Sequence, residues 1–225
     1  MGNLGPKLLE ELQCENVFTI GGIGISESVV VTWIIMAVFL LAAILLTRNL
    51  KVENPGRGQL MLEYIVTWLQ GIGEGIIGEE EKGYASYLTS ILIYLGVANL
   101  IGMLGFKPPT KDLNVTAVLA LMSIFLIEYA GIHKKGFRGW LKSFTQPIAI
   151  VTPINILEVF VKPLSLCMRL FGNVLGAFVI MKLIECILPV GLPVIFSAYF
   201  DVFDGLIQAY VFVFLTGLFI KEAIE

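Results

Sequence analysis

SVVVTWIIMAVFLLAAILLT, Ser28 to Thr47, is an uncharged run rich in Val, Ile, Leu, Ala and Phe. A helix needs about 20 apolar residues to cross the roughly 30 Å hydrocarbon core of a bilayer. Arg48 and Lys51 close the run, as basic residues at a membrane boundary do. This stretch makes the chain an integral membrane protein, and the composition around it agrees. Of 225 residues, 57% are hydrophobic and 15% charged, against about 25% charged in an ordinary soluble domain. The mean hydropathy is +0.87. So few charges cannot cover a soluble surface. A net charge of −3 leaves no concentrated basic face and excludes nucleic acid as a partner. The length suits one membrane domain spanning residues 1–225.

Outward from the first span, 28–47, the N-terminal segment 1–27 is acidic, with Glu10, Glu11, Glu15 and Glu27 against Lys7. Met1 to Gln13 lacks a basic region followed by an apolar one, so it does not read as a cleavable signal peptide. Asn54-Pro55-Gly56 breaks the chain. From Arg57 to Gly78, Gln59, Glu63, Thr67, Gln70 and Glu74 recur at steps of three and four, a polar stripe that predicts an amphipathic helix lying in the interface. Gly73 to Gly78 matches G-x-G-x-x-G, but no predicted strand precedes it, so it is not read as a dinucleotide site.

Residues 84–106 and 113–132 form two further spans, the first closed by Lys107-Pro108-Pro109 and the second interrupted by Glu128. His133, Lys134, Lys135, Arg138 and Lys142 make the densest basic cluster, which the positive-inside rule places in the cytoplasm. Alternation then puts the N-terminus and the Lys107–Asp112 turn outside and the C-terminus inside. In 148–222, two long apolar segments, Ile148 to Leu188 and Pro193 to Glu222, are joined at Pro189–Pro193. At 1.5 Å per residue the second would be about 45 Å long as one helix, so it must tilt or bend. The expected fold is an all-α integral membrane protein with about five membrane helices plus one interfacial amphipathic helix. The last two membrane helices form a long, strongly tilted hairpin.

The intramembrane polar groups concentrate in that last third. Lys162, Ser165, Arg169, Gly172, Asn173 and Gly176 share one helical face, and Ser197, Asp201, Asp204, Gly205 and Gln208 share another. An arginine at a helix centre costs about 2.5–3.5 kcal/mol on translocon scales and does not deprotonate, so something must compensate Arg169. Two readings are open. Arg169 pairs with Asp201 or Asp204 as helix glue, or it belongs to an ion path. The Gly172/Gly176 step lets another helix approach closely and favours a neighbouring subunit on the arginine face. Lys162, Lys182 and Lys221 read as snorkelling toward headgroups. Glu158 and Glu185 are either interfacial anchors or the lining of a water-filled entry. A single histidine, His133, and three separated cysteines, Cys14, Cys167 and Cys186, offer neither a haem nor a metal site, and no cofactor is expected. Cys167 and Cys186 read as small packing residues.

Lys162-Pro163-Leu164-Ser165-Leu166-Cys167-Met168-Arg169-Leu170-Phe171-Gly172-Asn173 closely resembles subunit a of the F-type ATP synthase membrane (Fo) sector. Three further blocks extend the resemblance in order: Pro108 to Thr116, Pro153 to Glu158, and Ile207 to Phe212. It runs from about Pro55 to the C-terminus. The resemblance implies a non-catalytic, ion-translocating stator subunit of a bacterial-type cell (inner) membrane, with two offset half-channels. Its partners would be a ring of c subunits, the peripheral-stalk b subunit and the other ATP synthase subunits. Arg169 would be the essential stator arginine, controlling ionisation of the ring carboxylate, with Asn173 and Gln208 as its polar partners. Asp201 would lie on the outward access path, where relatives carry Glu, His or a neutral residue, and Glu158 near the cytoplasmic one. Many members carry Glu or His nine residues after the arginine, where this chain has Phe178. Asp201, Asp204 and Glu185 are expected to take over that part of the outward path.

Other classes fit less well. A secondary transporter predicts internal repeats, and no such repeat is evident. A passive scaffold needs no cation and carboxylates at bilayer depth. The coupling ion, proton or sodium, depends on the ring, which is another chain.

Overall fold

The structure, a computed structural model, describes residues 16–20, 23–48, 50–51, 55–78, 82–104, 106–145, 149–187, 196 and 198–225. A short antiparallel hairpin of β1 (Asn16–Ile20) and β2 (Ile23–Ser26) leads into α1 (Glu27–Thr47). Then come α2 (Arg57–Ile77), α3 (Lys82–Leu100), α4 (Leu113–Ser143), α5 (Thr152–Ile187) and α6 (Gly205–Ile224). A 3-10 turn, Ile101–Leu104, extends α3, and a wide π-helical segment, Ala198–Asp204, leads into α6. Five helical stretches are long and apolar enough to cross a membrane: Glu27–Thr47, Gly83–Met103, Leu113–Ser143, Thr152–Ile184 and Ala198–Ile224. The amphipathic α2 is not among them. This is the all-α membrane fold expected.

α6 packs against α2, α3, α4 and α5. Its buried residues Gly205, Gln208, Ala209, Phe212, Val213, Thr216, Gly217 and Ile220 recur at steps of three and four, a continuous stripe along the helix. Lipid tails are as apolar as leucine, so packing of this kind rests on close van der Waals contact and small residues. Gly217 lies directly against Ile76 of α2 and Leu88 of α3. Gly73, within the rejected G-x-G-x-x-G run, does the same for α2 and α3: a Cβ there would stand 3.0 Å from Ala85 O and from Thr89 Oγ1. That glycine is a helix-crossing residue. α1 stands apart, burying only Ser28, Val31 and Ile35, and its Thr32 Oγ1 lies 3.1 Å from Tyr94 Oη of α3.

Three features go beyond the sequence reading. The acidic N-terminal segment was not read as containing strands, yet β1 carries Val17, Phe18, Thr19 and Ile20, residues favoured in strands. The basic cluster at His133–Lys142 is not a loop following a helix that ends at Ile132. Helical structure continues to Ser143 but breaks at Gly136 (φ 70°, ψ 157°), a left-handed conformation that glycine adopts without penalty. Trp140 beyond the break donates its Nε1–H to Glu128 Oε2 at 2.7 Å, which gives that intramembrane carboxylate a partner. Third, the Lys107–Asp112 turn is mostly interior: Pro109, Thr110, Lys111 and Asp112 are all buried. Asp112 caps α4 by accepting from the Asn114 backbone N–H at 2.9 Å, and its other oxygen accepts from Ser26 Oγ at 2.9 Å. The Pro189–Pro193 connection of the final pair, Cys14, the side chain of Cys186, and the acidic residues Glu10, Glu11 and Glu15 lie outside the described residues.

Candidate functional site

α5 continues through Pro163, carrying the arginine face along its length. Ser165, Arg169, Gly172 and Asn173 are exposed, and a Cβ at either Gly172 or Gly176 would meet nothing within 4 Å. Arg169 makes no ion pair or hydrogen bond among the described residues. Pairing with Asp201 or Asp204 as helix glue is therefore not what the fold provides. The polar stripe of α6 faces the other way: Gln208 is only 4% exposed. One bond joins the two stripes. Asn173 Nδ2 donates to Gln208 Oε1 at 2.6 Å, one helical turn from Arg169. The Nε2 donor of Gln208 has no hydrogen-bond partner among the described residues.

Toward one end of α5 and α6 a cavity of about 410 Å³ is lined by Phe178, Lys182, Asp201, Asp204 and Gln208, with Asn99, Gly102 and Lys107 from α3 and the following turns. These first five, all singled out from sequence, thus meet in one space. Two cations flank the Phe178 ring: the buried Lys111 ammonium sits 3.7 Å from its centroid and Lys182 Nζ 5.8 Å. Asn99 holds the cavity's base together. Its Nδ2 donates to Gly205 O at 2.8 Å, and its Oδ1 accepts from Thr110 Oγ1 at 2.8 Å. At the rim, Lys107 Nζ pairs with Glu27 Oε2 at 3.0 Å. Glu185 belongs to α5, but its side chain, like Ser197, lies outside the described residues.

Toward the other end, a cavity of about 210 Å³ is lined by Glu128, Lys135, Trp140, Asn155, Glu158, Lys162 and Glu222. Glu158 is exposed at its mouth. Lys162, read from sequence as snorkelling, pairs here with two carboxylates. Its ammonium lies 3.2 Å from Glu222 Oε2 and 3.7 Å from Glu158 Oε2, joining α5 to the C-terminal turn of α6. The two cavities share no lining residue, and Arg169 lines neither. Along α5, Arg169 lies about 16 Å of helix rise from Glu158 and about 14 Å from Phe178.

Sequence reasoning passed over Lys111, Asn99, Thr110 and Glu222. Asn99 left a usable signal, an amide inside an apolar span, where such groups bond across helices. Glu222 and Lys111 left none, because their roles depend on which helices are neighbours. Among the described residues no cluster of His, Cys, Asp and Glu could hold a metal ion.

The architecture defines a polytopic helical membrane protein with a fixed cation on an open face, offset from two separate polar cavities. The chain belongs to the ATP synthase A chain family, whose sequence pattern matches residues 29–221. It is 37% identical over 209 residues to ATP synthase subunit a 2 of Bradyrhizobium sp. strain BTAi1, covering 92% of this chain and 93% of that protein. It is 38% identical over 210 residues to ATP synthase subunit a of Moorella thermoacetica, covering 93% and 95%. With ATP synthase subunit a 2 of Acaryochloris marina it shares 32% identity over 205 residues, 90% of this chain and 87% of that one. Membership makes it a membrane subunit of the ATP synthase Fo sector that serves ion translocation rather than the catalytic part, with other ATP synthase subunits as partners.

Proposed function

We propose that this chain is the stator of a rotary F-type ATP synthase, with Arg169 facing a carboxylate carried by each subunit of a rotating c ring. The observation that carries this reading is an exposed arginine, unpaired among the described residues, on a face where Gly172 and Gly176 leave open space. An uncompensated cation at bilayer depth is unfavourable by a few kcal/mol, and an approaching carboxylate supplies the compensation. A permanent cation lowers the pKa of that carboxylate and so drives release of its bound ion. It also repels ions that would leak between the two cavities.

The larger cavity serves as the outward half-channel and the smaller as the cytoplasmic one, the orientation the positive-inside rule assigns from Lys134, Lys135, Arg138 and Lys142. Because no residue lines both, an ion crosses only by riding the ring. Each elementary charge moved through 100 mV releases about 2.3 kcal/mol. The peripheral-stalk b subunit is a further partner in this reading, and the translocated ion is a proton or sodium according to the ring's own site. Asp201 and Asp204 replace the acid absent at Phe178 on the outward path, supported by all three lining one cavity. Glu158 serves the inner path, and Asn173 with Gln208 flanks the arginine.

Arg169→Ala tests the assignment: the complex assembles with its ring, but ion-driven ATP synthesis is lost. Normal ion-driven synthesis in that variant would sink the stator role. For the outward path, Asp201→Asn combined with Asp204→Asn is expected to reduce synthesis strongly, and a wild-type rate would remove both residues from it.

A further inference from the structure

Gly102 lies in the 3-10 turn that ends α3, and Asp201 lies in the π-helical segment that begins the final helix. Both line the larger cavity. A Cβ placed on Gly102 would stand 2.9 Å from Asp201 Oδ1, 3.2 Å from its Cγ and 3.5 Å from its Oδ2. The three nearest atoms all belong to one carboxylate, and the closest approach is shorter than side chains tolerate. We propose that Gly102 is a positioning residue for the outward ion path: its missing side chain is the seat that fixes the Asp201 carboxylate at the cavity wall. This rests on the assignment of Asp201 to that path.

The local geometry is consistent at each step. π-Helical turns are rare and frequent at functional sites, because the widened turn re-aims side chains that a regular α-helix would direct elsewhere. Here the widened turn spans Asp201 and Asp204. It is pinned to the end of α3 at a second point, where Asn99 Nδ2 donates to Gly205 O at 2.8 Å. A Cβ on Gly205 would stand 3.0 Å from Asn99 Cβ, so the helices that flank the two irregular segments are pressed together beside the Asp201 contact. Asp has only two side-chain torsions, so a methyl group at position 102 cannot be accommodated by a long flexible chain. The carboxylate has to turn away or the segment has to move.

The experiment uses the assembled synthase in liposomes. Gly102→Ala is expected to lower ion-driven ATP synthesis about tenfold, below the roughly 10²-fold that a full 1 Å misplacement can cost. In an Asp201→Ala background the same change produces no further loss. Gly102→Asp combined with Asp201→Ala recovers most of the rate, because it returns a carboxylate to the same spot from the opposite wall. Position is read separately from activity. With Cys14, Cys167 and Cys186 replaced by Ser, the labelling rate of Asp201→Cys by a small polar thiol reagent changes severalfold when Gly102→Ala is added. Unchanged labelling, or a loss that adds fully to that of Asp201→Ala, overturns the seat. If Gly102→Ala alone blocks assembly, Asp201→Gly restores it, and failure of that pair to assemble also overturns the seat. A wild-type rate in Asp201→Asn would instead end the ion-path reading of Asp201, while the labelling result still decides what Gly102 does.

Discussion

Asn99→Leu tests whether the base of the larger cavity is held as described. The substitution keeps the side chain's approximate volume and removes both of its hydrogen bonds, to Gly205 O and from Thr110 Oγ1, each 2.8 Å long. Interhelical bonds in membrane proteins average about 0.6 kcal/mol by double-mutant cycles, whereas a buried polar group left without a partner costs about 1–3 kcal/mol. The two orphaned groups fall on different sides of that range. Gly205 borders the cavity, where water can replace the lost donor. Thr110 is fully buried at 0% exposure, and water cannot reach it. The combined cost is therefore about 1.5–3 kcal/mol, concentrated where α6 begins. Hydrogen exchange of the assembled complex reads this locally: backbone amides in the first turns of α6 should exchange about 10- to 150-fold faster, at a factor of ten per 1.4 kcal/mol. Thr110→Val should produce part of the effect, and the double variant less than the two single effects combined. A change below about threefold in Asn99→Leu, or one spread evenly over the chain, would refute the pinning role.

Two further outcomes follow from the packing. Lys162→Met removes bridges to carboxylates that are 49% and 53% exposed, so each is worth about 0.2–1 kcal/mol. Thermal inactivation of the complex should shift by only a few degrees, with part of the shift recovered by adding Glu222→Gln, and a loss well above about 2 kcal/mol would contradict this. Gly217→Val forces a branched side chain into Ile76 and Leu88. It should cost at least about 1–3 kcal/mol as overpacking and reduce the yield of assembled complex, and undiminished yield would show that α2 and α3 yield freely there.

The membrane class, the spans and the arginine segment were legible because each depends on one helix at a time. Length and charge mark a span, and the wheel places Arg169 with Asn173 on one face. What the wheel cannot give is which way a face turns. In water, burial and hydrophobicity go together, but in a bilayer the outside is as apolar as the inside. The stripes of α5 and α6 looked equivalent in sequence, yet Arg169 is exposed while Gln208 is buried. Lys162 shows the same limit. Its apolar surroundings suggested an outward reach, and only the antiparallel neighbour brings Glu222 within 3.2 Å. The burial of the Lys107–Asp112 turn within the protein was not legible in sequence, because it depends on Asp112 capping α4 and bonding Ser26.

Phe178 shows how a missing acid can be compatible with an intact path. An acid at this position would stand beside the Lys111 ammonium, which already lies 3.7 Å from the ring centroid. Buried at 5% exposure, Lys111 gains more from the ring face than an exposed lysine would, about 2 kcal/mol against 0.5–1. A carboxylate there would pair with that cation, and a paired, charge-neutral group is a poor relay because its pKa is driven down. This cavity is lined by the cations Lys182 on α5 and Lys107 on the turn after α3, and by the carboxylates Asp201 and Asp204 ahead of α6. In the proposed outward path, the π-helical segment carries both carboxylates to the cavity that Phe178 also lines. Gly102 then keeps the first of them from being pushed back out. On this reading the acid has moved from one helix to its neighbour, and the residues that must be kept together are Phe178, Gly102 and Asp201 rather than any one of them alone.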